Sequence, residues 1–251
     1  MFDNIDFKKI LFFDIETVSS TRYYNELPSN LQYHWQRKCK AWSTQGDAEA
    51  LGEELYEKLY SEKAGIYAEF GRIVCISMGY LYKDENGVLK TKIKSFYSEK
   101  ETEILAQLIE LLEKYFNNPT NQYLLGHNIK EFDIPYICRR LIINGMDVPK
   151  ILDLAGKKPW ESKHLLDTLE WWKFGDYKSF TSLDLLASVL GIESSKSDID
   201  GSQVGGVFYE ENDLKRIAKY CERDVLVLVQ LFLRLQNQKL LGEDQIEMTQ
   251  F

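Results

Sequence analysis

Four carboxylates and one tyrosine have the types and spacing to do chemistry. Asp14 and Glu16 stand two apart at the end of the apolar run 8–15, KKILFFDI. A strand alternates its side chains, so both acids point to the same face. Asp133 lies in GHNIKEFDIPYI, residues 126–137. Pro135 is tolerated only in the first turn of a helix, which puts Asp133 at or beside an N-cap. Tyr220 and Asp224 are four apart and share a face of the last long helix. Each feature alone also has an ordinary explanation. Asp14 and Glu16 suit two solvated acids at a strand end, and the same Asp-x-Glu spacing recurs at Asp47 and Glu49 on a helix start. Aspartate is a favoured capping residue. A buried tyrosine–carboxylate hydrogen bond would account for Tyr220 and Asp224.

Together the acids say more. Four carboxylates arriving from two strand ends and two helices would repel strongly at one point unless cations compensated. Two divalent ions bring four positive charges to about four negative ones. Oxygen-only ligands select Mg²⁺ or Mn²⁺ over zinc. Two such ions ~3.5–4 Å apart can clamp the attacking and leaving oxygens of an in-line phosphoryl displacement.

The elements that must position these groups are legible as periodicities. Residues 8–15 suit a central strand buried on both faces. Residues 20–65 change character, with an amphipathic helical stretch at 47–59. A second strand at 72–82 turns at Asp84-Glu85-Asn86-Gly87 into a third at 90–97. Ser98 and Glu101 have the spacing of a capping box, opening a helix that Asn117-Asn118-Pro119 stops. A short strand at 122–128 leads to a helix ending near Gly145. Thr181 or Ser182 caps another, and the last helix starts near Asp213 with Gly242 as its stop. Three strands with a hairpin, then alternating helix and strand, give one α/β domain over 1–251 with a helical insertion at about 20–65.

Composition sets bounds. The chain has 251 residues, with 31 basic and 39 acidic side chains and a net charge of −8. A protein that coats nucleic acid usually carries a positive surplus, so any nucleic acid must be handled locally, with metal ions supplying charge. The four scattered cysteines have no metal-binding or redox spacing and read as buried thiols. No apolar run approaches the length needed to cross a bilayer and no signal peptide opens the chain, so the expected compartment is the cytoplasm and no membrane partner is expected.

The ordered set Asp-x-Glu, His-Asn-x4-Asp and Tyr-x3-Asp resembles the three motifs of the DEDD (DnaQ-like) 3′–5′ exonucleases, and its tyrosine resembles the DEDDy branch. The stretches FFDIET, EFGRIVCIS, SLDLLASVLGI and YCERDV look closest to predicted exonucleases related to the proofreading domain of family B DNA polymerases. The resemblance implies a ribonuclease-H-like fold, a mixed sheet flanked by helices. It implies that Asp14, Glu16 and Asp224 hold the Mg²⁺ or Mn²⁺ that binds the attacking water, with Asp14 shared by a second ion that Asp133 supports. Tyr220 would hydrogen-bond that water; a phenol titrates near 10 and is a poor base at neutral pH. Thr17, Asn128 and Phe132 would contact the terminal nucleotide. The expected activity is two-metal-dependent 3′–5′ hydrolysis at single-stranded ends, with DNA favoured over RNA. The alternatives are an RNA 3′–5′ exonuclease, or a catalytically silent nucleic-acid-binding module. The chain ends at Phe251 with no room for a polymerase domain, so it would work alone or beside a separate polymerase or repair partner.

Two further stretches carry weaker signals. Lys157, Lys158, Lys163, Lys173 and Lys178, interleaved with Trp160, Trp171, Trp172 and Phe174, could track a single strand by charge and stacking, or form a solvated face over core aromatics. Asp198, Asp200 and Gly201 hint at a calcium loop, but lysine at 196 stands where the first ligand belongs, and a turn is expected.

Overall fold

A computed structural model of the chain describes residues 5–42, 52–176, 180–194 and 198–248. Six strands form one sheet in the order β5-β4-β1-β2-β3-β6. These are β1 (Ile10–Ser19), β2 (Gly71–Lys83), β3 (Leu89–Tyr97), β4 (Tyr123–Gly126), β5 (Leu165–Asp167) and β6 (Ile246–Glu247). β1, β2 and β3 are antiparallel neighbours, while β4 runs parallel to β1 and β5 parallel to β4. The C-terminal ends of β1, β4 and β5 therefore share one edge, the side where open α/β sheets bind ligands. The sheet is mixed and flanked by helices, the ribonuclease-H-like architecture expected from the sequence.

β1 sets the geometry because its two faces pack against different helices. Leu11, Phe13 and Ile15 join a core with Ile104, Leu105 and Leu108 of α3 (Glu101–Tyr115) and Ile134 and Ile137 of α4 (Asp133–Ile143). Ile10 and Phe12 pack instead on Val225, Val229 and Phe232 of α8 (Leu214–Leu235). At period two, Asp14 and Glu16 continue the α8 side. A second polar tie fixes α8 against the sheet: buried Glu222 accepts a 3.0 Å bond from Ser95, whose hydroxyl is 2.6 Å from that of Ser77.

Between β1 and β2 the chain forms α1 (Ser29–Trp42) and α2 (Glu53–Lys63). They build their own small core from Trp35, Tyr56, Tyr60 and Phe70, and are the helical insertion expected there. Asp47 and Glu49 lie outside the described residues.

Several local expectations need correction. Glu101 does not cap α3: it is buried, takes Arg140 at 2.8 and 2.6 Å, and accepts the Ile73 amide at 2.8 Å. A carboxylate with a buried guanidinium in reach is more useful there than at a solvated cap. Lys100 is the cap residue, and Ser98 instead accepts its amide and donates to Glu103. α8 stops at Leu235, short of Gly242, because Asn237 adopts a left-handed conformation at φ 54°. Ser182 caps α6 (Leu183–Val189) by accepting the Leu185 amide. β5, α5 (Thr168–Lys173) and a single turn α7 (Val204–Gly206) continued by a π-turn over Val207–Glu211 left no periodicity long enough to read. Asp200 accepts bonds from Ser202 in a turn and Asp198 pairs with Arg216, so that stretch is a turn as expected; Lys196 lies outside the described residues.

Candidate active site

Asp14 and Glu16 meet α8 where its buried stripe runs toward the ligand edge of the sheet. Asp14, Glu16 and the Cys221 thiol each place a ligand atom within 4.8 Å of the others. Cys221 also donates toward the Asp14 carboxylate at 3.4 Å and toward its carbonyl at 3.6 Å. One turn further along α8, the Tyr220 phenol donates to Asp224. Among the described residues, neither Asp133 nor Asp224 joins that 4.8 Å set; Asp133 approaches from the opposite side of β1, and both act on Asp14 and Glu16 through their charge. Asp133 opens α4, and its carboxylate accepts the Ile15 backbone amide. β1 pairs with β4 only as far as Phe12, so Ile15 lies beyond that ladder and turns to Asp133 instead.

Electrostatics record the crowding. Burial, then the charges of Asp224 and Asp133, holds the Asp14 carboxyl well above its ordinary range. Glu16 is raised for the same reasons, with burial first and Asp14 next. Asp133 is pushed up to about 7, mainly by burial, with its amide hydrogen bonds opposing. Tyr220 is raised by burial and then by Asp224, Glu16 and Asp14, so its phenol keeps its proton. Among the described residues, no lysine, arginine or histidine forms an ion pair with Asp14, Glu16 or Asp133. Glu16 is only 8% exposed, and its nearest charges are those of other acids. Burying carboxylates together without a cation is costly. The oxygen-rich donor set fits a hard divalent cation, which would lower all of these proton affinities together.

The three residues expected at the terminal nucleotide have different surroundings. Thr17 is half-buried and hydrogen-bonds the Tyr136 phenol, which donates in turn to the Gly65 carbonyl at 2.8 Å. Phe132 packs on Tyr136 with ring centroids 5.5 Å apart. Asn128 has φ 65°, in the sharp turn that leaves β4 after Gly126. A Cβ at Gly126 would sit 2.6 Å from that of Ile129, which demands glycine there.

That turn exposes a residue that sequence reasoning missed. Asp167, at the end of β5 and almost fully buried, accepts the amides of Asn128 at 2.9 Å, Lys130 at 3.2 Å and Leu169 at 3.0 Å. Its charge also raises Asp133. Asp167 thus pins the segment that carries both Asn128 and Asp133. The signal for it, an aspartate closing a three-residue strand and capping α5, was too short to separate from an ordinary cap.

A family model described as a predicted 3′–5′ exonuclease related to the exonuclease domain of PolB matches residues 66–249. The matched stretch contains Asp133, Tyr220 and Asp224 and begins after Asp14 and Glu16. No curated protein matches the chain. One matching solved structure is the family B DNA polymerase of the hyperthermophilic archaeon Pyrobaculum calidifontis, at 16% identity and a TM-score of 0.49. That match covers 91% of this chain and 24% of the polymerase, so the chain spans about a quarter of that protein's length.

Proposed function

We propose, from the premise that this chain belongs to the family of predicted 3′–5′ exonucleases related to the exonuclease domain of PolB, that it hydrolyses single-stranded nucleic acid from its 3′ end with two divalent ions. The observation that carries the reading is the crowding of acids around Asp14 and the buried Glu16, whose carboxyls are held raised by burial and by one another's charges. A silent binding module has no physical need for carboxylates held at that cost. Asp14, Glu16 and Asp224 would hold one Mg²⁺ or Mn²⁺, and Asp14 with Asp133 a second. When bound, the ions would supply a hydroxide-like nucleophile at neutral pH and neutralise charge on the phosphate in flight.

The protein's own groups do the rest. Tyr220 stays protonated, so it orients a water by hydrogen bonding and does not remove its proton. Its bond to Asp224 ties the phenol to an acid proposed to hold the metal. Asn128 and Phe132 border Asp133, and Thr17 follows Glu16, which suits these three to the last sugar and base. The P–O3′ bond breaks, the water oxygen joins phosphorus, and a nucleoside 5′-monophosphate leaves. DNA is the favoured substrate because the family is named for its relation to a DNA polymerase domain.

The test uses 5′-labelled single-stranded DNA, duplex DNA and RNA in parallel with Mg²⁺ or Mn²⁺. A descending ladder is expected, strongest on single-stranded DNA and abolished by Asp14→Ala. No ladder on any substrate would overturn the reading, and a ladder on RNA alone would reassign the substrate.

A further inference from the structure

Among the described residues, two strongly exposed rings belong to the stretch that meets the β4–α4 turn through His127. Phe174 is 73% and Phe180 67% exposed. Burying a phenylalanine is worth roughly 1.5–3 kcal/mol, so two left in water side by side with a candidate site call for a ligand. Phe174 moreover adopts φ 45°, a left-handed conformation that a bulky side chain rarely takes, with Gly175 following at φ 88°. The backbone is thereby held in the form that displays the ring.

Phe180 is joined to the candidate site through His127. The His127 ring lies 6.5 Å from the Phe180 ring, and its Nε2 is 2.8 Å from the Thr181 carbonyl. Its Nδ1 is 2.9 Å from the Thr168 hydroxyl, which ties it to α5 as well. The next residue is Asn128, which Asp167 anchors. Lys173, immediately before Phe174, is near enough to His127 to oppose its protonation. Exposed apolar rings on either side of His127's neighbourhood, with Lys173 next to one of them in the chain, match a chain of bases joined by phosphates. Stacking on aromatic faces with lysines along the backbone is how single strands are held without sequence preference. Of the tryptophans in the same stretch, Trp171 and Trp172 turn inward onto the cores around α8, while Trp160 is 62% exposed and sits beside Lys158. Lys178 lies outside the described residues.

We infer that Phe174 and Phe180, with Lys173, form a stacking shelf that receives the unpaired bases upstream of the 3′-terminal nucleotide. The inference rests on the nuclease reading for its direction, since the shelf adjoins the turn carrying Asn128 and Asp133. It also sets the substrate class: a duplex end, whose bases are already paired and stacked, cannot use the shelf until several nucleotides are melted.

Binding is measured by fluorescence anisotropy of a 5′-labelled oligo(dT) in EDTA, with the full chain, so that no hydrolysis occurs. Phe174→Ala and Phe180→Ala are each expected to weaken binding roughly tenfold, the scale of one lost base–aromatic stack. Phe180→Trp should restore it. An oligonucleotide with abasic sites near its 3′ end should bind the wild type about as weakly as the normal strand binds the double variant, and the variants should lose little more on it. Both rings are exposed, so unfolding temperatures should not move. Unchanged affinity in the alanine variants, or equal losses on normal and abasic strands, would overturn the shelf. Ring-dependent binding with no ladder would instead leave the shelf standing and sink the nuclease, so the two failures are distinguishable.

Discussion

At the scale of single residues, the site is defined by which protons stay and which leave. Tyr220 donates to Asp224 and is raised by burial and three carboxylates. Its contribution is therefore orientation. Tyr220→Phe is expected to lower kcat about 10–100-fold, the range for a lost supporting hydrogen bond near a metal. A lost general base would typically cost more, roughly 10²–10⁴-fold. The pH–rate profile should keep its shape in the variant, and loss from the variant of a limb that the wild type shows would contradict this role. Asp14 accepts the Cys221 thiol and lies under the charges of Asp224 and Asp133. Asp14→Ala should reduce turnover by more than about a thousandfold, since it removes several kcal/mol of charge stabilisation with its metal.

At the scale of elements, the strand and helix periods carry much of the answer. Asp14 and Glu16 face α8 because Ile10 and Phe12 do, and a period of two allows no other outcome. Tyr220 and Asp224 were legible as one face of a helix for the same kind of reason. What could not be read was the depth of insertion and the supporting contacts. Glu222, adjacent in sequence to Cys221, carries no sequence signal of burial; only the packing of α8 on β3 makes it a buried partner of Ser95. Asp167 was hidden because two of its three amide partners lie in another segment, the β4–α4 turn. It supplies the test at this scale. Asp167→Ala strands three amides and should cost on the order of a few kcal/mol, seen as a lower Tm, with a raised KM for single-stranded DNA. Asp167→Asn keeps an oxygen for Asn128 and Leu169 and should recover most of both. Equal behaviour of the two variants would show that Asp167 does not position the turn.

At the scale of the whole molecule, the cluster links stability to pH and metal. Asp133 has a folded-state value of about 7 against an ordinary 3.8, and Asp14 and Glu16 are raised in the same direction. A carboxyl raised by folding stabilises the protein while protonated. That contribution is full below about pH 4 and fades as pH climbs toward 7. The metal-free protein should therefore lose Tm between about pH 5 and 8, by roughly 5–15 °C once the site's share is isolated by comparison with an Asp14→Asn, Asp133→Asn variant. Mn²⁺ should reverse the trend, stabilising most at pH 8, where the carboxylates are ready to ionise. Among the described residues no helix is long and apolar enough to cross a membrane.

The most direct measurement is a calorimetric titration of the full chain with Mn²⁺ at pH 8. Uptake of two ions per chain, falling to one or none in Asp14→Ala and in Asp133→Ala, is the result that follows from oxygens of Asp14, Glu16, Asp133 and Asp224 gathered on one cation pair. Heat of dilution alone, in a protein whose folding is intact by circular dichroism, would contradict it.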